Sequence, residues 1–177
     1  MLEPHERQTL LQLARRAIAA RLEGRAVETP AAVGGLATRT GAFVTIRHNN
    51  GLRGCLGSVD TDAPLVDVVT RCAGDAATRD PRFPPLPLAD VPDVVLEISV
   101  LGPVEAVADL AEVEVGRHGL VVEQGTHRGL LLPQVPTEWG WDRETFVTQV
   151  CLKAGLAPDA WRAGARLFTF EAEIFGE

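Results

Sequence analysis

The residues best suited to chemistry lie close together, in the stretch NNGLRGCLGS at positions 49–58. Cys55 carries a thiol, and Arg53 places a guanidinium two residues away. Positive charge beside a thiol stabilises the thiolate and lowers the thiol pKa, so we predict catalytic roles for both residues. The backbone N–H groups of Gly54 and Gly57 can hold an anionic intermediate, which predicts substrate binding there. In the competing interpretation, Cys55 is only a small packing residue.

Further polar residues are candidates for ligand binding, and each also has a purely structural explanation. His118 in GRHGL is our candidate for a general base, or it is a turn residue before a strand. Gln134 in LLPQV offers an amide to a ligand, or it satisfies backbone groups of a loop. Arg53 binds a carboxylate or phosphate through its planar fork, or it pairs internally with Asp80 or another acid of the same loop.

Charge and cysteine spacing restrict the classes of function. The 177 residues carry a formal net charge of −7. This balance argues against nucleic acid as a partner, because nucleic-acid binders neutralise phosphates with basic residues. The three cysteines lie far apart and form no closely spaced ligand pairs, so we predict no metal site. The sequence contains no Walker motif, no GxGxxG and no CxxxCxxC triad, and we predict no cofactor.

The sequence also lacks the signals of a membrane or secreted protein. No apolar run reaches the roughly 20 residues that a membrane helix requires. The N-terminus, MLEPHERQ, has no basic region followed by an apolar stretch, so we expect a cytoplasmic protein. Hydrophobic residues make up 46% of the chain, which is enough to build a core.

Hydrophobic periodicity and turn residues predict the elements that position these side chains. Apolar residues at three- and four-residue steps predict a helix over residues 5–22. The Asn-Gly signal in HNNG predicts a hairpin whose strands cover residues 42–47 and 52–57. Strict alternation then places Arg53 and Cys55 on the same face of the second strand. The glycines of that strand indicate a bulge, or a close approach by a backbone or a ligand.

The rest of the chain combines helices, extended segments and hairpins. The carboxylates of Asp60–Asp62 and the following Pro64 predict the start of a helix that reaches about residue 77. Residues 81–92 are rich in proline and predict an extended loop. The remaining predicted elements are a strand over 94–101, a hairpin with strands 119–124 and 129–132, a helix from the capping Asp142 to 154, and a strand over 166–175. Several hairpins without a strand–helix–strand repeat predict an α+β fold, with a mainly antiparallel sheet flanked by helices.

Five separate segments resemble the AMMECR family, the AMME-syndrome candidate domain family, also called AmmeMemoRadiSam system protein A. They are GAFVTIRHNNGLRGCLGS, DPRFPPL, LEISVLGPVE, RHGLVVEQGTHRGLLLPQV and CLKAGLAPDAW, and together they span nearly the whole chain. The family hallmark reads Leu-Arg-Gly-Cys-Ile-Gly, and Leu56 replaces its isoleucine here. The resemblance implies a single AMMECR-type domain over residues 1–177, with two unequal lobes and a cleft between them that the hallmark lines.

The same resemblance sets the functional expectations, although the biochemical role of the family is poorly defined. It places DPRF beside the hallmark, so Asp80 and Arg82 are predicted to bind substrate; alternatively, the segment is a proline-stiffened loop whose Asp caps a turn. Bacterial and archaeal relatives are often encoded beside a Memo-type protein and a radical S-adenosylmethionine protein, which implies both as partners. We expect a thiol-dependent component that binds a small polar or anionic metabolite, or a non-catalytic adaptor that uses the same cleft. The first alternative is an enzyme component, and the second is not an enzyme.

Overall fold

The computed structural model describes residues 1–59 and 62–177, which form two compact units. The first unit comprises residues 1–101 and 173–177, and the second comprises residues 102–172. Each unit has its own hydrophobic core. Helices pack on antiparallel sheets, which confirms the predicted α+β class.

Helices and strands follow one another without a regular strand–helix–strand repeat. In chain order they are α1 (Pro4–Leu22), β1 (Ala42–His48), β2 (Gly51–Ser58), α2 (Leu65–Thr78), β3 (Val95–Leu101), β4 (Glu105–Ala106), β5 (Gly119–Gln124), β6 (His127–Leu131), α3 (Gln134–Trp139), α4 (Arg143–Lys153), β7 (Arg166–Phe170) and β8 (Ala172–Gly176). Short 3-10 helices cover Gly34–Ala37, Leu88–Asp93, Leu110–Glu112 and Ala160–Arg162. Within the described residues, no helix has the length and apolarity needed to cross a membrane.

The first unit contains a four-stranded sheet in the order β2-β1-β3-β8, and α1 and α2 pack against it. Alternate residues of the two central strands, Val44 and Ile46 on β1 and Leu96 and Ile98 on β3, are fully buried in the same core as the helices. The apolar face of α1 enters this core as well. The predicted periodicity of α1 and the predicted alternation of β3 are therefore confirmed.

The β1–β2 hairpin closes through Asn49 and Asn50, which have φ angles of 51° and 63°. This left-handed pair is the geometry of a tight two-residue hairpin turn, and Asn tolerates it better than most residues. Cys55 lies opposite Thr45, but Leu52 lies opposite Arg47, so the register shifts between these pairs. Arg53 is the extra residue of the resulting bulge.

The bulge decides which face of the sheet carries the thiol. Without it, Cys55 would lie opposite Val44, whose side chain is fully buried in the core. With it, Cys55 lies opposite Thr45, on the other face of the sheet. Because side chains alternate along a strand, a shift of one residue moves the thiol from one face to the other. The predicted bulge is thus present, whereas the predicted strict alternation is interrupted at Arg53.

Close packing explains two glycines of β2. A Cβ atom on Gly54 would lie 2.2 Å from the carbonyl oxygen of Ala76 in α2, so only glycine allows this approach of strand and helix. A Cβ atom on Gly57 would lie 2.3 Å from the ring of Phe43 on β1. The unusual glycine content of the strand therefore reflects contacts within the protein itself.

The second unit contains a sheet in the order β4-β7-β5-β6, with α4 packed on β5 and β6. Asp142 accepts a hydrogen bond from the N–H of Thr145 at 2.8 Å, which confirms it as the cap of α4. Phe146 and Val150 of α4 are fully buried, and they share the core of this unit with Leu120 of β5.

The structure corrects the predicted last strand and the loop after β6. Residues 166–175 form two strands, because β7 pairs in the second sheet while β8 pairs in the first. The alternating pattern continues across the break at Glu171, so the pattern alone does not reveal it. Gln134, which was expected to lie in a loop, is the first residue of the unpredicted helix α3.

Two predictions around α2 also need correction. The helix begins at Leu65, so Pro64 precedes it instead of lying in its first turn, and no described side chain caps it there. Of the predicted capping segment, Asp60 and Thr61 lie outside the described residues. The proline-rich segment is extended only in part, because a 3-10 helix forms over Leu88–Asp93.

Substitution of Gly54 tests the tight contact between β2 and α2. We expect Gly54→Ala to lower the free energy of unfolding by about 3 kcal/mol, because the new methyl group overlaps a backbone oxygen that cannot move aside. Gly51→Ala on the same strand is the matched control, since its Cβ would lie 3.5 Å from the nearest atom. Urea unfolding of both variants checks the prediction, and equal stability of the two would contradict it.

Candidate functional site

Cys55 lies on β2, which is an outer strand of its sheet, and the DPRF segment covers the strand at this residue. Asp80 Oδ2 accepts a hydrogen bond from the backbone N–H of Cys55 at 2.9 Å. Arg82 Nη2 donates to the carbonyl oxygen of Cys55 at 3.5 Å. The two side chains thus engage both backbone polar groups of Cys55, as a neighbouring strand would.

Asp80 and Arg82 form a tight ion pair at the base of this arrangement. Arg82 donates from Nη2 to Asp80 Oδ2 at 2.7 Å, and from Nε to Oδ1 at 3.0 Å. The Asp80 carboxylate is buried, with 4% of the residue exposed, whereas the Arg82 side chain is 55% exposed. The Arg82 guanidinium is the main cause of an Asp80 pKa lowered to about 2. Burial opposes this effect, and the N–H groups of Cys55 and Arg82 reinforce it.

The local sequence explains why Asp80 reaches β2. Helix α2 ends at Thr78, and Asp80 accepts the N–H of Phe83 on its carbonyl oxygen at 3.1 Å, which closes a turn around Pro81. The N–H of Leu86 then donates to the carbonyl oxygen of Ala77 at 2.8 Å and ties the loop back to α2. Since α2 also contacts β2, the loop is anchored to the helix that packs behind the thiol-bearing strand.

The thiol of Cys55 is half-buried and contacts the hydroxyl group of Thr45, which is not among the predicted site residues. Thr45 Oγ1 donates to Cys55 Sγ at 3.3 Å. Glu97 lies opposite Thr45 on β3, which places a carboxylate in the same cross-strand row. The predicted hairpin does contain Thr45, but an unbulged register would set Val44 opposite Cys55, so the signal was hidden by the bulge at Arg53.

Two guanidinium groups flank Phe83 in this part of the first unit. The Arg53 and Arg82 guanidinium carbons lie 5.9 Å and 5.5 Å from the centre of the Phe83 ring. Arg53 donates to the carbonyl oxygen of Pro85 at 3.2 Å, and Arg82 instead takes the ion pair with Asp80 that the sequence analysis considered for Arg53. Two guanidinium groups thus accompany the Asp80 carboxylate in this part of the first unit, and Glu97 adds a second carboxylate in the cross-strand row of Cys55.

The other two cysteines differ from Cys55 in their surroundings. Cys72 on α2 and Cys151 on α4 are buried in the two hydrophobic cores. Burial raises the pKa of the Cys72 thiol to about 11 and also raises that of Cys151. Both are inert packing residues under ordinary conditions, since the thiolate is the reactive form.

The predicted site residues therefore divide between the two units. Arg53, Gly54, Cys55, Asp80 and Arg82 lie together in the first unit, and Gly57 lies on the same strand. His118 and Gln134 belong to the second unit. His118 Nδ1 accepts the N–H of Glu114 at 3.1 Å, which is the contact of a turn residue before a strand. Their predicted functional roles stay predictions.

The described side chains around Cys55 do not form a metal-binding cluster. Among residues 1–59 and 62–177, no group of three or more His, Cys, Asp or Glu side chains has a spacing that could hold a metal ion. The polar groups at Cys55 are a thiol, a hydroxyl, carboxylates and guanidinium groups, and of these the guanidinium groups are suited to hold an organic anion.

The fold and site define an α+β protein with a thiol on a glycine-rich outer strand, held by an Asp–Arg pair. The chain belongs to the AMMECR1 family, whose model matches residues 11–175. It is 45% identical to a protein of Thermococcus onnurineus, over 95% of this chain and 88% of the relative. Protein MJ0810 of Methanocaldococcus jannaschii is 44% identical, over 78% of this chain and 74% of the relative. The crystal structure of the uncharacterized protein PH0010 from Pyrococcus horikoshii is similar, with a TM-score of 0.89, 42% identity and coverage of 95% and 89% of the two chains.

Substitution of Asp80 tests whether this pair stabilises the first unit. Because the folded-state pKa of about 2 lies below the ordinary value, the stabilisation is complete above that ordinary value, about 3.9. It is lost as the pH falls through the folded-state value. We expect Asp80→Asn to lower the free energy of unfolding at neutral pH by about 2 kcal/mol. The difference in the free energy of unfolding between wild type and variant should shrink as the pH falls below about 4.

The matched control for this experiment is Asp93→Asn, because Asp93 is exposed in the same unit. Unfolding by urea, measured at a series of acidic and neutral pH values, gives the comparison directly. A gap for Asp80→Asn that stays constant across this range, or that equals the gap for Asp93→Asn, would contradict a stabilising ion pair.

Proposed function

We propose that the protein is a thiol-dependent component that binds a small anionic metabolite at Cys55. The observation that carries this proposal is the clamp on Cys55, in which Asp80 and Arg82 engage its N–H and carbonyl groups. A clamped backbone holds the thiol in one place, and Thr45 orients the sulfur through a hydrogen bond at 3.3 Å. Pre-organisation of this kind is typical of reactive groups.

In the proposed mechanism, Cys55 acts as a nucleophile and Arg53 as the anchor for the negative charge of the substrate. The thiol proton leaves to water, and the sulfur forms a bond to an electrophilic carbonyl carbon while the carbonyl π-electrons move to oxygen. Among the described residues, Arg53 makes one hydrogen bond, to Pro85, so most of its donor groups remain available for a carboxylate or phosphate. Arg82 supplies positive charge while Asp80 keeps it in place.

The proposal includes a Memo-type protein and a radical S-adenosylmethionine protein as partners in the same pathway. Support comes from the AMMECR resemblance, whose bacterial and archaeal members are often encoded beside such proteins. The chain has no CxxxCxxC triad, so the radical step of such a pathway belongs to the partner. A cytoplasmic location fits this assignment.

A non-catalytic adaptor is the second candidate function, and one observation favours it. Arg82 is already bound to Asp80, and Arg53 to the carbonyl oxygen of Pro85, so the arginines also have structural roles. In that case, Cys55 only packs beneath a surface that binds a peptide or a partner loop.

The rate of Cys55 alkylation as a function of pH separates the two functions. We expect iodoacetamide to modify Cys55 alone in the folded protein, because Cys72 and Cys151 are buried. The midpoint of the rate profile should lie below the ordinary thiol value of about 8.5. Arg53→Ala should move this midpoint upward, since it removes a positive charge that stabilises the thiolate. Mass spectrometry of tryptic peptides identifies the modified residue.

Arg79→Ala is the matched control, because Arg79 lies just ahead of the DPRF segment and its side chain is 68% exposed. This variant should leave the midpoint where it is in the wild type. An unreactive Cys55, or a midpoint that Arg53→Ala does not move, would contradict the thiol-dependent function and favour the adaptor.

A further inference from the structure

A groove of about 490 Å³ lies between α1 and α2 in the first unit, and the proposed thiol site does not use it. Its walls are the C-terminal half of α1, the segment 24–27 that follows, and one face of α2 from Asp67 to Gly74. The volume suits a small organic molecule. None of the thiol-site residues lines it.

Small residues form the floor of the groove and let an arginine lie along it. Ala17 and Ala20 of α1 face Gly74 of α2. A Cβ atom on Gly74 would lie 2.9 Å from Nε of Arg21, so the Arg21 side chain passes directly over this glycine. A glycine in the middle of a helix costs stability, which a packing requirement of this kind explains.

Three arginines line this groove, although the chain as a whole carries a net charge of −7. Arg21 pairs with Asp75 at 2.8 Å, and Arg25 pairs with Glu23. Arg71 forms no ion pair within the described part of the chain. The side-chain partner of Arg71 is the thiol of Cys72, which does not neutralise the guanidinium, so Arg71 keeps a positive charge at the groove.

We propose that the groove binds a small oxyanion, a phosphate monoester or a dicarboxylate, with Arg71 as its main contact. The planar guanidinium matches the oxygen pairs of both groups, and Arg21 and Arg25 add positive charge from the opposite wall. Asp67 also lines the groove, and its carboxylate repels an anion. The negative end of the α1 dipole repels an anion as well. These opposing charges weaken the binding, which suits an abundant metabolite.

Amide chemical shifts of the folded full chain, titrated with inorganic phosphate and separately with succinate at low ionic strength, test this proposal. We expect saturable amide shifts confined to residues of the groove walls. The probe that binds more tightly is the one that resembles the ligand. Arg71→Ala should weaken binding about tenfold, because it removes charge-assisted hydrogen bonds. Asp67→Asn should strengthen binding about twofold, because it removes a repelling charge.

Two further variants make the test specific. Arg16→Ala removes an exposed arginine of α1 outside the groove and should leave the affinity unchanged. Gly74→Ala keeps every charge but displaces the Arg21 side chain, and it should weaken binding while the protein stays folded. The proposal is overturned if neither probe gives saturable shifts, if Arg16→Ala weakens binding as much as Arg71→Ala, or if Asp67→Asn weakens it.

Discussion

The buried carboxylate of Asp80 is the interaction on which the geometry around the thiol depends. It accepts the N–H of Cys55, holds the Arg82 guanidinium, and closes the turn that follows α2. A buried carboxylate without these partners would cost several kcal/mol, so the loop, the strand and the arginine stabilise one another. The same pair occupies backbone groups of an outer strand, which would otherwise invite pairing with another chain.

A second constraint is the close approach of β2 to α2. Gly54 lets the strand touch the carbonyl oxygen of Ala76, and the bulge at Arg53 lies immediately before this contact. The shift in register moves the thiol from the face of Val44 to the face of Thr45. Packing thus explains the order of residues in the hallmark. Its arginine occupies the bulge, its first glycine contacts α2, and its cysteine lies on the opposite face of the sheet.

The elements governed by local rules could be predicted from the sequence. The hairpin turn at Asn49 and Asn50 follows from the tolerance of Asn for left-handed backbone angles, and the cap of α4 follows from the short range of the Asp142 hydrogen bond. The division of residues 166–175 could not be predicted, because it depends on which sheet each half joins. Helix α3 follows a proline and is only six residues long, too short for a periodic signal.

The candidate site was predictable only in part, for a similar reason. Arg53 and Cys55 are neighbours in sequence, so their association needs no tertiary knowledge. Asp80 reaches Cys55 from a position 25 residues later, and only the family resemblance placed its segment beside the hallmark. Thr45 was missed because one bulge changes every later pairing of the hairpin.

The amide proton of Cys55 tests whether the Asp80 carboxylate holds this residue. Its chemical shift should stay constant as the pH is lowered through about 3.9, where an ordinary aspartate takes up a proton. It should begin to move only as the pH approaches the Asp80 pKa of about 2. In Asp80→Asn, the same resonance should lie at a different position and show no such movement. A shift centred near the ordinary value, or one that persists in the variant, would contradict the clamp.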